Sequence, residues 1–225
     1  MNDKQLVALA AAQYVQNDML VGLGTGSTTN YFIAELARRQ RDEGLKITTV
    51  ASSTISAQQA QAQNLAIVAL EHIGRIDLYV DGADEFDSDR TLLKGRGSDL
   101  VKEKLLAKAA NEFIAVAEAG KRVDRIGQNY AIPIEVMPYA WQLAHKSLED
   151  LGGLGDLRPN AAKDGFWITS HGSYVLDMRF ANISDAQQLN TLINNTPGVV
   201  EHGIFHGLCD ALFIAENGTV SEHWA

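Results

Sequence analysis

The sequence predicts an α/β protein with one domain built on an open, mostly parallel sheet and a smaller α+β lobe. Short apolar runs alternate with helix-period segments from Leu20 to about Gly127. This βα rhythm is typical of a parallel sheet covered by crossover helices. The rhythm changes after Pro133 and Pro138, where the second lobe is expected to begin. The predicted boundaries are 1–127 for the sheet domain and 128–205 for the smaller lobe, with 206–225 as a C-terminal tail.

Apolar periodicity predicts the elements of the sheet domain. An amphipathic helix covers the run from Leu6 to Val15. A second helix, over 29–41, carries Phe32, Ile33 and Leu36 on one face. The predicted strands are 19–23, 47–50, 66–69, 76–80 and 113–117, and the further helices are 56–64 and 100–110.

The smaller lobe is predicted from its turn residues and shorter apolar runs. A helix over 140–151 precedes a glycine-rich break at Gly152, Gly153 and Gly155. A hairpin of strands 166–170 and 174–180 turns at His171–Gly172. A helix beginning at Ser184 or Asp185 and a strand over 199–205 complete a split α+β unit. Strands 211–215 and 219–222 then form a last pair.

Composition excludes several functional classes. The 225 residues are 46% hydrophobic and 21% charged, which excludes disordered, collagen-like and small disulfide-rich proteins. The formal net charge of −9 repels nucleic acid and anionic membranes, so no partner of either kind is expected. The single Cys209 fits a reducing cytosol. We expect a cytoplasmic protein, since no apolar run approaches membrane-spanning length and Leu6–Ala12 lacks the positive start of a signal peptide.

The segment from Gly22 to Thr28, with the sequence GLGTGST, lies between a predicted strand and a predicted helix. Glycine backbone, hydroxyl groups and a helix N-terminus converge there, as in an anion-binding site. The segment lacks the Gly-Lys-Ser/Thr of a Walker A loop and the spacing of a dinucleotide motif. A phosphomonoester is therefore the expected ligand, and a tight turn that only permits close packing is the alternative.

An acidic segment, Asp81-Gly82-Ala83-Asp84-Glu85, follows a predicted buried strand. The carboxyl ends of parallel strands form the ligand-binding edge of such sheets. The spacing does not fit a calcium loop, whereas a magnesium site stays open because paired carboxylates bind Mg²⁺. A solvated loop is the alternative for Glu85, Asp87 and Asp89, and is less expected for Asp81 and Asp84.

A basic glycine loop, Lys94-Gly95-Arg96-Gly97-Ser98, precedes the predicted helix that carries Glu103. The helix dipole and the nearby cations favour an ionised carboxylate, whereas burial raises a carboxyl pKa. These opposed effects suit a general base. A surface glutamate in a salt-bridged helix face is the alternative for Glu103.

Taken together and in this order, the three motifs resemble the type A ribose-5-phosphate isomerase family. The resemblance extends through Lys121, Pro133-Ile134-Glu135-Val136, Leu151-Gly152-Gly153 and Pro197-Gly198-Val199-Val200. It implies a Rossmann-like catalytic domain of residues 1–127, rejoined by 206–225, and a smaller α+β lobe of residues 128–205. It also implies a cytosolic enzyme of the pentose phosphate pathway that forms a homodimer and acts on a sugar phosphate. It also implies no metal and no organic cofactor.

The resemblance implies a role for each matching residue. Glu103 corresponds to the general base, Asp81 and Asp84 to the catalytic acids and Lys94 to the lysine that stabilises the oxyanion. Proton transfer between C2 and C1 would then pass through an enediolate. The remaining substrate contacts implied are Thr25, Gly26, Ser27, Thr28, Gly82, Ala83, Gly95, Arg96, Gly97, Lys121 and Lys4.

The sequence departs from the family pattern at several positions. Ser98-Asp99 replaces the usual Gly-Ala and adds an acid near Glu103, and Glu118 stands where Asp is common. A sugar-phosphate-sensing module without catalysis is the rival hypothesis, although no DNA-binding helix-turn-helix precedes the domain and the charge is negative. An isomerase or deaminase acting on another sugar phosphate is the third.

Overall fold

The computed structural model describes residues 1–97, 99–183 and 185–225. The chain divides into two compact units. Unit 1 comprises 1–83, 102–121 and 208–225, and unit 2 comprises 84–101 and 122–207. The domain boundaries expected from the sequence place 84–101 in the sheet domain. These boundaries remain a prediction.

The helices and strands are listed here in chain order. They are α1 Asp3–Ala12, β1 Leu20–Leu23, α2 Ser27–Glu43, β2 Thr48–Ala51, α3 Thr54–Ala62, β3 Ile76–Gly82, β4 Glu85–Phe86, β5 Leu92–Leu93, α4 Leu100–Ala109, β6 Ala110–Glu118, β7 Ile132–Val136, α5 Trp141–Asp150, β8 Gly153–Leu157, β9 Tyr174–Phe180, α6 Ala186–Asn194, β10 Val199–His202, β11 Ile204–Phe205, β12 Ala211–Glu216 and β13 Thr219–Trp224.

Unit 1 contains a six-stranded sheet in the order β13-β12-β6-β3-β1-β2. Strands β2, β1, β3, β6 and β12 are parallel, and β13 runs antiparallel to β12. The predicted mostly parallel α/β sheet is thereby confirmed. From β1 the chain first adds β2 on one side and later β3 on the other. The switch point between β1 and β3 is where open α/β sheets bind ligands.

The core of unit 1 explains why these segments fold as they do. Strand β3 is buried along most of its length, as expected for a parallel strand covered on both faces. Helix α2 buries Phe32, Ile33 and Leu36 completely, which agrees with the apolar face predicted from the sequence. The helix ends at Gly44, whose φ of 74° is a left-handed cap.

Unit 2 is built on antiparallel strands. Strands β10, β7, β9 and β8 form one sheet in that order, and β11, β5 and β4 form a second. Helices α5 and α6 bury Leu148 and Ile193 in the same core cluster as Ile134 and Leu176. The helix predicted over 140–151 and the strand predicted over 174–180 agree with α5 and β9.

Two predicted strands are wrong. Within 66–69 only Ile67 forms an isolated bridge, to Thr49. Within 166–170 only Phe166 and Ile168 form isolated bridges, and both side chains are at least half exposed. These apolar runs are short, and no second strand pairs with them along their length. Their apolar character therefore led to the prediction of strands that do not form.

Some boundaries also differ from the prediction. Residues 153–157 form strand β8 instead of a break. The strand predicted over 199–205 is divided at Gly203, where an added Cβ would lie 2.8 Å from the ring of Pro133. Helix α6 begins after Asp185, whose carboxylate accepts the N–H of Gln188 at 3.0 Å. The alternative start at Ser184 lies outside the described residues.

The described part of the chain holds no helix that is long and apolar enough to cross a membrane.

Glu85 corrects the expectation of a solvated acidic loop. Its side chain is completely buried, and its carboxylate accepts the backbone N–H groups of Gly127, Asn129 and Tyr130 at 2.7 to 2.9 Å. A buried carboxylate is tolerated only when hydrogen bonds replace its lost hydration. Glu85 therefore fixes the 127–130 turn of unit 2.

Replacing Glu85 with Ala should destabilise the fold, because three backbone N–H groups of the 127–130 turn would lose their acceptor. The expected loss in free energy of unfolding is about 3 kcal/mol, since each unsatisfied donor costs ~1–3 kcal/mol. Urea denaturation of Glu85→Ala and of the exposed control Glu149→Ala measures it. Equal stability of the two variants would show that the carboxylate does not hold the turn.

Candidate active site

The phosphate-site candidate lies where β1 passes into α2. Gly26 has a φ of 131°, which favours glycine, and provides no side-chain cap to the helix. The first N–H groups of any helix lack an intrahelical acceptor, and the helix dipole is positive at that end. The first turn of α2, which contains Ser27 and Thr28, can therefore bind a dianionic phosphate.

Thr25 connects this turn to the end of β2. Its hydroxyl lies 2.9 Å from that of Ser52, 2.6 Å from that of Ser53 and 3.2 Å from that of Ser56. Ser53 is also the N-cap of α3. All three serines are buried, so the phosphate-site candidate has a second, hydroxyl-rich wall. The sequence analysis did not include these serines among the candidate site residues.

Asp81 holds the turn after β1 against the end of β3. Its carboxylate accepts the N–H of Thr25 at 3.1 Å, the N–H of Gly82 at 2.7 Å and the hydroxyl of Tyr79. The side chain is completely buried. A Cβ on Gly24 would lie 2.6 Å from the Cα of Asp81. Glycine at position 24 is therefore what lets the two chain segments approach.

Glu103 is almost completely buried and lies in the first turn of α4. Burial raises the pKa of Tyr79 well above its ordinary value, and the charges of Asp81 and Glu103 raise it further. Tyr79 is thus a neutral donor whose hydroxyl contacts the Asp81 carboxylate. The surface alternative for Glu103 is wrong.

Two lysines lie at the same edge of unit 1. The ammonium of Lys4 is 3.1 Å from the hydroxyl of Ser27 and 3.8 Å from the carboxylate of Glu118. Lys121 follows β6 and donates to the carbonyl oxygen of Ala83 at 2.6 Å. A cation therefore stands beside the first turn of α2, and a second stands beside the residues that follow β3.

The remaining predicted site residues belong to unit 2. Lys94 is 4% exposed, and its ammonium lies 5.6 Å from the centre of the Phe205 ring. The guanidinium of Arg96 covers the Tyr130 ring at 3.8 Å and lies 3.9 Å from the carboxylate of Asp84. Gly95 has a φ of 87°, and Gly97 is exposed. Ser98 lies outside the described residues.

Unit 1 thus brings together ten of the predicted residues around the carboxyl ends of β1, β3 and β6. These are Thr25, Gly26, Ser27, Thr28, Asp81, Gly82, Ala83, Glu103, Lys121 and Lys4. Among the residues that the structure describes, no three His, Cys, Asp or Glu side chains are placed to hold a metal ion.

Residues 48–219 match the family described as ribose 5-phosphate isomerase A (phosphoriboisomerase A). The chain belongs to this family. The ribose-5-phosphate isomerase A of Thermosynechococcus vestitus is 40% identical over 214 residues, which cover 95% of this chain and 91% of the relative. That of Methanothermobacter thermautotrophicus is 41% identical over 211 residues, which cover 93% and 92%.

Solved structures of ribose 5-phosphate isomerase A agree with this assignment. That from Methanocaldococcus jannaschii is 35% identical, with a TM-score of 0.93 over 99% of this chain and 98% of the other. A D-ribose-5-phosphate isomerase in complex with phospho-erythronic acid is 34% identical, with a TM-score of 0.95 over 100% of both chains.

Tyr79 contacts the predicted site residue Asp81, and the sequence analysis did not single it out. It was included only as part of the predicted strand 76–80. The available signal was its position two residues before Asp81, because side chains at i and i+2 of a strand share a face. Its ring is stacked on Phe113 at 4.9 Å, which fixes the hydroxyl that Asp81 accepts.

Replacing Gly24 with Ala should displace either the turn after β1 or the Asp81 carboxylate. Overpacking of this kind costs ~1–3 kcal/mol, and we expect a loss of about 2 kcal/mol in free energy of unfolding. Chemical denaturation compares Gly24→Ala with Gly74→Ala, because a Cβ at position 74 meets nothing within 4 Å. Unchanged stability of Gly24→Ala would show that the turn can retreat from Asp81.

Proposed function

We propose that the chain interconverts D-ribose 5-phosphate and D-ribulose 5-phosphate through an enediolate, with Glu103 as the general base. The observation that carries this is the buried Glu103 carboxylate in the first turn of α4, whose charge acts on the Tyr79 hydroxyl that Asp81 accepts, in the same unit as the first turn of α2. Aldose-ketose isomerisation moves one proton between adjacent carbons. A single carboxylate can take it from C2 and return it to C1.

The phosphate would bind far from the reacting carbons and fix their position. Main-chain N–H groups of the first turn of α2, the hydroxyls of Thr25 and Ser27, and the Lys4 ammonium support this placement. Binding energy gained at a remote phosphate can orient C1 and C2 beside a base. The net charge of −9 opposes anions at long range, so a local site of this kind is needed.

Lys94 would stabilise the negative charge that develops on the enediolate oxygen. Its ammonium is nearly buried, and an electrostatic donor is worth more where water is excluded. Loss of one such donor typically costs about 10²–10³ in kcat. Asp81 would move the hydroxyl proton during ring opening, and Asp84 would orient a hydroxyl or hold Lys94. The backbones of Gly82, Ala83 and Gly95–Gly97, with Arg96 and Lys121, would complete the substrate contacts.

The isomerase is favoured over a sugar-phosphate-sensing module. A module that only binds a sugar phosphate has no use for two buried carboxylates, Asp81 and Glu103, in the same unit. Burying both groups costs free energy, and a catalytic role for them accounts for that cost. Relatives that cover more than 90% of this chain are ribose-5-phosphate isomerases.

Glu103→Gln should abolish most turnover and preserve binding of D-ribose 5-phosphate, because the amide keeps the shape and loses the base. General acid–base catalysis contributes about 10²–10⁴-fold, and we expect kcat to fall by about 10³-fold. A coupled isomerase assay and calorimetric binding measure the two effects. The exposed control Glu112→Gln should retain wild-type kcat, and full activity of Glu103→Gln would eliminate this mechanism.

We further propose a cytoplasmic homodimer that acts in the pentose phosphate pathway. The two sugars are both pentose 5-phosphates, and the lone cysteine is a buried free thiol. Unit 2 exposes large apolar side chains that would otherwise contact water: Tyr139, Leu143, Leu154, Phe166 and Ile168, each at least 50% exposed. The Trp141 and Phe166 rings lie 6.3 Å apart, so α5 adjoins the 166–168 segment. Adjoining exposed apolar groups of this size mark interaction surfaces.

Light scattering tests the dimer. The wild type should give about twice the chain mass of 24.5 kDa, and Leu143→Glu should shift the population toward 24.5 kDa by placing a charge in the apolar contact. The control Glu149→Lys changes a charge on the same helix without altering the apolar set. A monomeric wild type would contradict the proposal.

A further inference from the structure

A cavity in unit 1 is lined mostly by residues that the proposed reaction does not use. We call it the β2 groove, and its volume is about 400 Å³. It lies between the end of β2, helix α3 and the segment 67–71. Its lining residues are Ala51, Ser53, Thr54, Ala57, Gln61, Ile67, Val68, Ala69, Leu70, Glu71 and Lys102. Small-molecule sites usually have volumes of about 300–1,000 Å³ and mostly apolar walls with a few polar groups.

The β2 groove adjoins the phosphate-site candidate through Ser53. This residue lines the groove, and its hydroxyl accepts from Thr25 at 2.6 Å. Thr25 is the residue just before the turn into α2. Ser53 therefore belongs both to the hydroxyl cluster around Thr25 and to the lining of the groove, so the two sites adjoin.

The sheet order gives the distance between the sites. Strand β1 pairs with β2, and Thr49 of β2 forms a bridge with Ile67 of the groove wall. Neighbouring strands lie ~4.8 Å apart, so the groove begins about 5–10 Å along the sheet edge from the phosphate turn. Nucleotides in open α/β sheets span this same carboxyl edge.

The lining of the β2 groove suits a flat, weakly polar part of a ligand. Ala51 and Ala57 leave space without projecting bulk, and Ile67 and Leu70 supply apolar contact. Gln61 carries both amide donors and an acceptor, which suits the edge of a heteroaromatic base. Lys102 and Glu71 leave a charged group of each sign at the rim, so the groove itself favours no net charge in the ligand portion it holds.

We infer that the β2 groove binds the base of a nucleoside 5′-monophosphate whose phosphate occupies the first turn of α2. This inference rests on the proposed function, because it uses the same phosphate site. The nucleotide would exclude the sugar phosphate and inhibit isomerisation competitively. The hydroxyls of Ser53 and Thr54 lie where dinucleotide-binding folds place an acid for the ribose, which favours a mononucleotide over a dinucleotide.

The test uses AMP as the probe on the full chain, with inorganic phosphate as the reference. AMP should compete with D-ribose 5-phosphate at least about tenfold better than phosphate does, a difference of ~1.4 kcal/mol. In Ala57→Trp, which fills the groove, this advantage should vanish, while KM for D-ribose 5-phosphate and inhibition by phosphate stay within about twofold. Ala62→Trp, an exposed position on the same helix, should behave as the wild type.

Each outcome decides a different point. If phosphate competes and AMP competes no better, the groove does not bind the base and this inference fails alone. Equal AMP inhibition of Ala57→Trp and the wild type would also overturn it. If neither phosphate nor AMP competes with the sugar phosphate, the phosphate site itself is wrong, and the proposed function fails with it. Gln61→Ala offers a milder second variant and should weaken AMP without altering KM.

Discussion

The buried carboxylate of Asp81 is the constraint on which the rest of the site depends. It accepts hydrogen bonds from Thr25, Gly82 and Tyr79 at the end of β3. A charge removed from water must be matched by donors, and here the donors come from the neighbouring turn, from the next residue and from a stacked tyrosine. The turn after β1 is consequently held against β3, and position 24 has no room for a side chain.

In the proposed function, this arrangement serves the two ends of a small anionic substrate. The first turn of α2 would bind the phosphate, and the buried Glu103 carboxylate, whose charge acts on Tyr79, would be the base. Because both belong to unit 1 and adjoin the same central strands, their separation is set by strand spacing rather than by mobile loops. Proximity of this kind accounts for much of the rate that enzymes gain from orientation. An acidic protein gains little from long-range attraction of an anion, so local geometry has to supply the binding.

Much of the fold and site could be predicted because the relevant signals are local in sequence. Helix α2 has a clear apolar face, strand β3 is a continuous apolar run, and the turn between β1 and α2 contains alternating glycines. The errors arose where long-range contacts decide the outcome. Glu85 has the sequence context of a surface acid, but its carboxylate accepts three backbone N–H groups from the distant segment 127–130. The division at Gly203 depends on Pro133, and the serine wall depends on β1 pairing with β2. Contacts between distant parts of the chain leave no periodic pattern in the local sequence.

The measurement that tests the central claim most directly is a crystal structure of Glu103→Gln with D-ribose 5-phosphate bound. The account predicts the phosphate against the main-chain N–H groups of residues 26–28 and the sugar carbons C1 and C2 within hydrogen-bond reach, ~3 Å, of the side chain at position 103. Asp81 should keep its bonds to Thr25 and Tyr79 in that complex. A phosphate bound away from the first turn of α2, or C1 and C2 on the far side of the sheet from position 103, would contradict it.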